Sequence, residues 1–200
     1  MIQSTDQFTG HPTLVSLSLK QNKLQSALGL SNTAQLQELY LSHNQLVQFN
    51  ELSNMPMLKK LDLNTNKIAS LANMPNLPAL EHLDLGANLL ASADCLTALH
   101  AFPGLKVIIM SANPFVDEMA DKFKSEVLVI CGTHLKKIKT INEEEVADEE
   151  VVAAGEERNE RAKLKREAEE EAIRVAAEKA LEEAALAADK NKPAGDAEDE

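Results

Sequence analysis

The chain predicts an α/β solenoid: short parallel strands, a convex side of 3₁₀ turns and loops, a C-terminal cap, then a long charged α-helix. Three observations lead there. Asn22, Asn44, Asn66, Asn88 and Asn113 recur at spacings of 22, 22, 22 and 25 residues. Each holds the same place in an apolar pattern: LVSLSLKQNKL (14–24), LQELYLSHNQL (36–46), LKKLDLNTNKI (58–68), LEHLDLGANLL (80–90) and LKVIIMSANPF (105–115). Near residue 142 the composition changes sharply to Glu, Ala, Lys and Arg. A fixed period of this length describes units that bury their apolar faces only against their neighbours.

Residues 1–13 form a lead-in whose packing residues are Phe8 and Pro12. That is thin cover for an exposed solenoid end. A partner over this edge and a longer relative that continues the array are the two readings. Five repeats fill residues 14–115, and their consensus, LxxLxLxxNxL, is identified as the leucine-rich repeat. The alternating LxL core predicts a strand with one face inward. After each Asn the apolar residues fall at intervals of three: Leu46, Phe49, Leu52, Met55 and Leu58, then Ile68, Leu71, Met74, Leu77 and Leu80. A three-residue turn keeps such a stripe inward, whereas an α-helix drifts off it. Pro56, Pro75, Pro78 and Pro103 also oppose long helices there. The fourth repeat is three residues longer, read as one more such turn, and the first is weaker, with Ala27 and Thr33 at apolar slots.

Residues 116–142 predict the cap. A helix over 116–126 (VDEMADKFKSE) places Met119 and Phe123 on one face, and a last leucine-type segment, LKKIKTI (135–141), follows. Residues 143–190 predict a charged helix. No Pro or Gly interrupts 156–190, and opposite charges recur four apart, as in Glu157–Arg161, Lys163–Glu167 and Lys165–Glu169. Each such pair stabilises a helix by about 0.2–0.5 kcal/mol, and Ala adds propensity. Leu164, Ile173, Val175, Leu181 and Leu186 hold no heptad, which favours a lone helix over a strong coiled-coil dimer. Residues 191–200 are expected to be disordered.

Residues 1–142 carry 11 acids and 11 bases, so the net charge of −12 belongs entirely to residues 143–200. No basic surface is implied, which argues against a nucleic-acid partner. No apolar run approaches a membrane span, and MIQSTDQFTGHP lacks a signal peptide's basic and apolar regions. Cys95 and Cys131 are isolated and without metal spacing, which reads as reduced core thiols in an intracellular protein.

The Asn column has two readings, a ligand site or a structural ladder, and the structural one is adopted. Each amide would satisfy buried N–H and C=O groups of adjacent turns. The outward strand positions form the candidate contact face: Ser18, Tyr40, Asp62, Asp84 and Ile109 at its centre, Glu38, Lys60 and His82 on one side, Ser42, Asn64 and Gly86 on the other. Tyr40, Lys60, Asp62, His82 and Asp84 are the candidate partner-binding residues, Tyr being favoured in interface hot spots. Five strands give a face of about 300–400 Å², against about 800 Å² per partner in a standard interface. The flanks, an exposed end or the tail must therefore contribute to any stable complex. Asp62 and Asp84 lie on successive strands about 5 Å apart, an acid pair in principle, but without a pocket they read as a solvated stripe. His11, His43, His82, His100 and His134 fall at unrelated places. With no phosphate-binding loop or metal-ligand cluster, no catalytic residue, metal or cofactor is expected.

The NPF start of the cap, LKKIKTINEEEV and the following EERNERAKLKREAEEEAIR resemble the radial-spoke leucine-rich-repeat family of motile cilia, the leucine-rich repeat-containing protein twenty-three family. The likeness spans about residues 14–175, but that family usually carries more repeats on the N-terminal side. The resemblance implies a non-catalytic axonemal component in the cytoskeleton, whose partners are other radial-spoke proteins. It carries no contact residues with it. A phosphatase-regulating repeat protein would present more aromatic and acidic contacts than Tyr40 alone. An acidic nuclear phosphoprotein would have a tail of almost pure Asp and Glu. An axonemal dynein light chain would lack so long a tail.

Overall fold

The computed structural model describes residues 1–8, 10–30, 33–49, 51–52, 55–72, 74–132 and 137–190, the last ten of these by backbone alone. Residues 191–200, expected to be disordered, lie outside the described residues, as do the first two residues of LKKIKTI. The chain divides into two compact units after Glu156.

In the first unit, β1 (Ser16–Ser18), β2 (Glu38–Tyr40), β3 (Lys60–Asp62), β4 (His82–Asp84) and β5 (Val107–Ile109) pair in parallel and in sequence order. The register follows the repeat length: Leu17, Leu39, Leu61, Leu83 and Ile108 lie side by side. Inward leucines from Leu36 onward are almost wholly buried. On the convex side the three-residue period is seen directly, as bonds from Leu30 N to Ala27 O, Leu52 N to Phe49 O and Leu80 N to Leu77 O. Ala27 and Thr33, the weak slots, are fully buried, and the Thr33 hydroxyl donates to Leu30 O at 2.8 Å. The long fourth repeat departs from expectation. Its extra residues form a short α-helix, α1 (Cys95–Ala98), running into a 3₁₀ turn at Leu99–Ala101.

The cap also differs from the single helix expected over 116–126. Helix α2 (Pro114–Met119) begins on Pro114, whose missing N–H costs nothing at a first turn. The backbone leaves the helical region at Ala120 (φ 47°) and, after a 3₁₀ turn, resumes as α3 (Phe123–Cys131). Met119 and Phe123 thus sit on separate segments, yet both reach the core, where Phe123 meets Phe115 edge-on at 5.7 Å. Cys131 is buried and Cys95 half-buried. Burial pushes both thiols up to about 12, so neither is a ready nucleophile.

The segment expected to open a helix at 143 folds otherwise. β6 (Thr140–Ile141) continues the parallel sheet, and β7 (Glu144–Glu145) returns antiparallel through Asn142 and Glu143, both at positive φ. Helix α4 (Asp148–Lys190) starts five residues later. Lys124 clasps its first turn to α3, 2.9 Å from Glu150 and 2.7 Å from the Glu145 carbonyl. Ala154 is buried against the core.

The lead-in is better anchored than its composition implied. Thr5 is buried, its hydroxyl donates to Leu28 O at 2.6 Å, and Phe8 packs on the core, although Pro12 is exposed. Gly29 (φ 91°) admits this approach, since a Cβ there would fall 2.3 Å from Thr5 O.

The second unit, described through residue 180 at side-chain level, is exposed helix. It carries the expected pairs Glu157–Arg161, Lys163–Glu167 and Lys165–Glu169, while Arg174 meets Glu171 three residues away. Among the described residues no helix is long and apolar enough to cross a membrane.

Candidate functional site

The Asn column forms as a continuous ladder. Asn66 Oδ1 accepts the Leu46 N–H at 3.0 Å, and its Nδ2 donates to Leu63 O of its own repeat and Leu41 O of the previous one. Asn44 repeats that pattern one turn earlier, and Asn88 and Asn113 repeat it one and two turns later. Every amide is consumed by backbone, so the ladder holds coils together and offers nothing to a ligand. The residue before each Asn must adopt the left-handed conformation to aim it: Gln21, His43, Thr65, Ala87 and Ala112 all have φ between 50° and 57°.

On the opposite side, the strands' outward residues assemble the face drawn from the pattern. Tyr40, Asp62 and Asp84 lie in one row across β2, β3 and β4, and Glu38, Lys60 and His82 in the next. The structure therefore brings all five candidates, Tyr40, Lys60, Asp62, His82 and Asp84, onto one surface. It adds Lys20, which sequence reasoning missed. Lys20 Nζ lies 4.6 Å from the Tyr40 ring centroid and reaches Asp62 at 2.7 Å, while Lys60 Nζ covers the same ring at 5.4 Å. Tyr40 is clasped between two cations, an attraction to the ring quadrupole of about 0.5–1 kcal/mol each at exposed sites. The signal for Lys20 was available: it occupies in repeat one the column of Ser42, Asn64 and Gly86.

The two carboxylates do not act as an acid pair. Asp62 is 8% exposed and takes the Ser42 hydroxyl (3.0 Å), the Asn64 N–H (3.2 Å) and Lys20. Asp84 takes the Gly86 N–H at 2.9 Å and the Asn64 side-chain amide at 3.2 Å. A Cβ on Gly86 would lie 2.6 Å from Asn64 Nδ2, so glycine there leaves room for that bridge. Burial, with help from Lys60, holds the His82 imidazole below its usual range against the pull of Asp84 and Asp62. Glu38 accepts from both the Tyr40 and Ser16 hydroxyls at 3.2 Å. The result is a cross-linked polar mosaic over a rigid sheet, suited to being contacted and poorly suited to proton transfer.

Residues 35–55, a single unit, match the Leucine Rich Repeat family model. No curated protein matches the chain. Among solved structures, one chain of the Drosophila melanogaster SNF/U2A′ complex is similar at 23% identity and TM-score 0.60, over 70% of this chain and 79% of that one. An internalin (inlF) from Listeria monocytogenes is similar at 18% identity and TM-score 0.44, over 64% of this chain and 47% of that one. In-register parallel strands, a three-residue convex period and an unbroken Asn ladder make this protein a leucine-rich-repeat solenoid.

Proposed function

We propose that the protein is a non-catalytic interaction scaffold of the radial spoke in motile cilia. The scaffold reading is carried by one observation: the ionisable groups of the concave face bind one another and the backbone, holding Tyr40 between Lys20 and Lys60 on an open sheet. A surface fixed in that way loses little side-chain freedom when a partner docks. The ciliary assignment is supported by the order of cap, LKKIKTINEEEV and Glu/Arg-rich helix, which resembles the radial-spoke family. The third spoke or its head is the place that resemblance favours.

Fractionation tests it. After cilia are detached and demembranated, the protein should stay with the axoneme through a high-salt wash. Enrichment in nuclei would replace this reading with an acidic nuclear phosphoprotein. Co-purification with a phosphatase catalytic subunit would replace it with a phosphatase regulator. A scaffold should also lose partner capture on Tyr40→Ala while keeping its melting temperature within about 2 °C, since the lost packing lies on the surface.

A further inference from the structure

The concave face is electrically lopsided. Along the edge where the strands start, Lys59, Glu81, Lys106 and Lys139 hold one register position on successive levels. Glu81 N–H donates to Lys59 O, Lys106 N–H to Glu81 O and Lys139 N–H to Lys106 O. Lys60 stands in the next row, beside His82. Only Glu81 supplies an acid inside this row, and it takes Lys106 at 2.7 Å. That bond from Lys106, with further pull from Lys59 and Lys137, holds the Glu81 carboxyl below its usual range. Among the described residues, Lys59, Lys137 and Lys139 have no acid within salt-bridge distance. The carboxylates at the other edge are already used: Asp62 by Lys20, Ser42 and Asn64, Asp84 by Gly86 and Asn64. Cations are therefore left over along one edge, while the acids of the opposite edge are satisfied from within.

Strand β5 adds an apolar step beside that edge. Of β1 to β5 it alone has two apolar outward residues, Val107 and Ile109, and both stay partly exposed. Val107 follows Lys106 directly and lies between His82 and Thr140, while Ile109 lies beside Asp84. Beyond Lys139, Glu145 and Asp148 line the hollow that also holds Lys137, and there the basic row ends.

We propose that this half of the face, from β3 to β6, binds an extended acidic segment of another protein that carries one bulky apolar residue. The acids lie along the lysine row, and the apolar side chain rests on Val107 and Ile109. Charge complementarity names the occupant, and the Lys106–Glu81 bond shows how the row takes a carboxylate. Levels of the sheet are about 4.8 Å apart, so Lys59 to Lys139 spans about 14 Å, the reach of some four or five extended residues. Acids on alternate residues of such a segment all face the row, and the apolar contact anchors it. A nucleic-acid strand fits less well, because Glu81 interrupts the row and Asp84 stands across the step against a continuous phosphate chain. Helix α4 of a second copy fits less well too, because Lys and Arg recur among its acids. The site names the partner class for the proposed scaffold's concave face and so rests on that reading.

The probe is a fluorescein-labelled nonapeptide, EDEDFDEDE, titrated onto the full chain and read by anisotropy. We expect saturable binding that weakens as salt is raised. It should fall at least tenfold when the peptide's phenylalanine becomes serine, and the basic peptide KRKRFKRKR should not bind. Lys59→Gln combined with Lys139→Gln should weaken binding at least tenfold with an unchanged melt, because both side chains are exposed and outside salt bridges. Lys23→Gln combined with Lys67→Gln removes two exposed lysines beside the Asn ladder and should leave binding unchanged. A benzoylphenylalanine in place of the peptide's phenylalanine should label β4 or β5. No binding at millimolar peptide, indifference to the Lys59 and Lys139 pair, or an equal loss with the Lys23 and Lys67 pair would each overturn the proposal. So would labelling away from β4 and β5, tighter binding of a single-stranded oligonucleotide of equal charge, or self-association of the chain that the peptide disrupts. Those results concern the lysine edge alone, and axonemal fractionation judges the wider reading separately.

Discussion

Removing one rung of the ladder is the sharpest test of its role. In Asn66→Ala, Leu41 O and Leu63 O keep partners, Asn44 Nδ2 at 2.9 Å and Asn88 Nδ2 at 3.0 Å. The Leu46 N–H does not: Asn66 Oδ1 at 3.0 Å is its acceptor, and the site is buried. Leaving that donor unsatisfied costs about 1–3 kcal/mol, and the lost redundant bonds add about 0.5–1 kcal/mol. The expected loss is about 3 kcal/mol, which lowers Tm by about 6–12 °C in a unit of this size. Asn22→Ala is the internal control. Its acceptor serves the exposed Ile2 N–H, which water can satisfy, so the loss should stay below about 1 kcal/mol. Urea melts followed by the fluorescence of Tyr40, the one tyrosine in a chain without tryptophan, report on the repeats alone. Equal losses at Asn22 and Asn66, or a loss under about 1 kcal/mol at Asn66, would refute the accounting. Asn66→Asp sharpens it further. That side chain keeps the acceptor but points an oxygen at three carbonyls, which raises the carboxyl's folded pKa. Its stability relative to wild type should therefore be greatest at low pH and fall as pH rises.

Ala87, at φ 50°, should gain from glycine. Relief of about 1 kcal/mol of left-handed strain, less about half of that for added freedom in the unfolded chain, leaves a Tm rise of about 1–2 °C in a thermal melt. A chain ending at Glu156 should melt like the full one, because the second unit is exposed helix; a drop of tens of degrees would contradict this. Ending at Asn142 removes the buried Ala154 and the packed Val146, and should cost about 2 kcal/mol in urea melts. The Lys124 ammonium, then the Ala147 N–H, hold the Glu150 carboxyl below its usual range. A depressed folded pKa stabilises above the unfolded value and loses that contribution as pH falls through the folded one. The protection of the 147–151 amides, relative to their intrinsic exchange rates, should therefore fall between about pH 5 and 3 in the wild type and show no such step in Glu150→Gln.

The strands, the inward leucines, the convex period and the Asn ladder were all legible in the chain. In a solenoid an offset of one period in sequence is one step in space, so adjacency is written locally. The five candidates on the concave face were legible for the same reason, since outward positions at equal phase must neighbour one another. What escaped crosses more than one step or depends on a competition. Lys20 meets Asp62 two strands away by lying over Tyr40, a reach set by a flexible side chain. The cap breaks at Ala120 because α2 and α3 each pack on the core, which overrides the helix propensity of VDEMADKFKSE. At Asn142 the side-chain oxygen takes the Met110 N–H at 2.7 Å, a donor that earlier strands give to a neighbouring carbonyl, and the hairpin follows. The anchoring of Thr5 and Phe8 on the first repeat was hidden by the polar Thr5 and by the weakness of so short a pattern. Sequence thus determined which residues face which way, because periodicity is local. Only the tertiary structure decided how the cap covers the last repeat, because competing packing of α2, α3 and the β6–β7 hairpin is not written in any period.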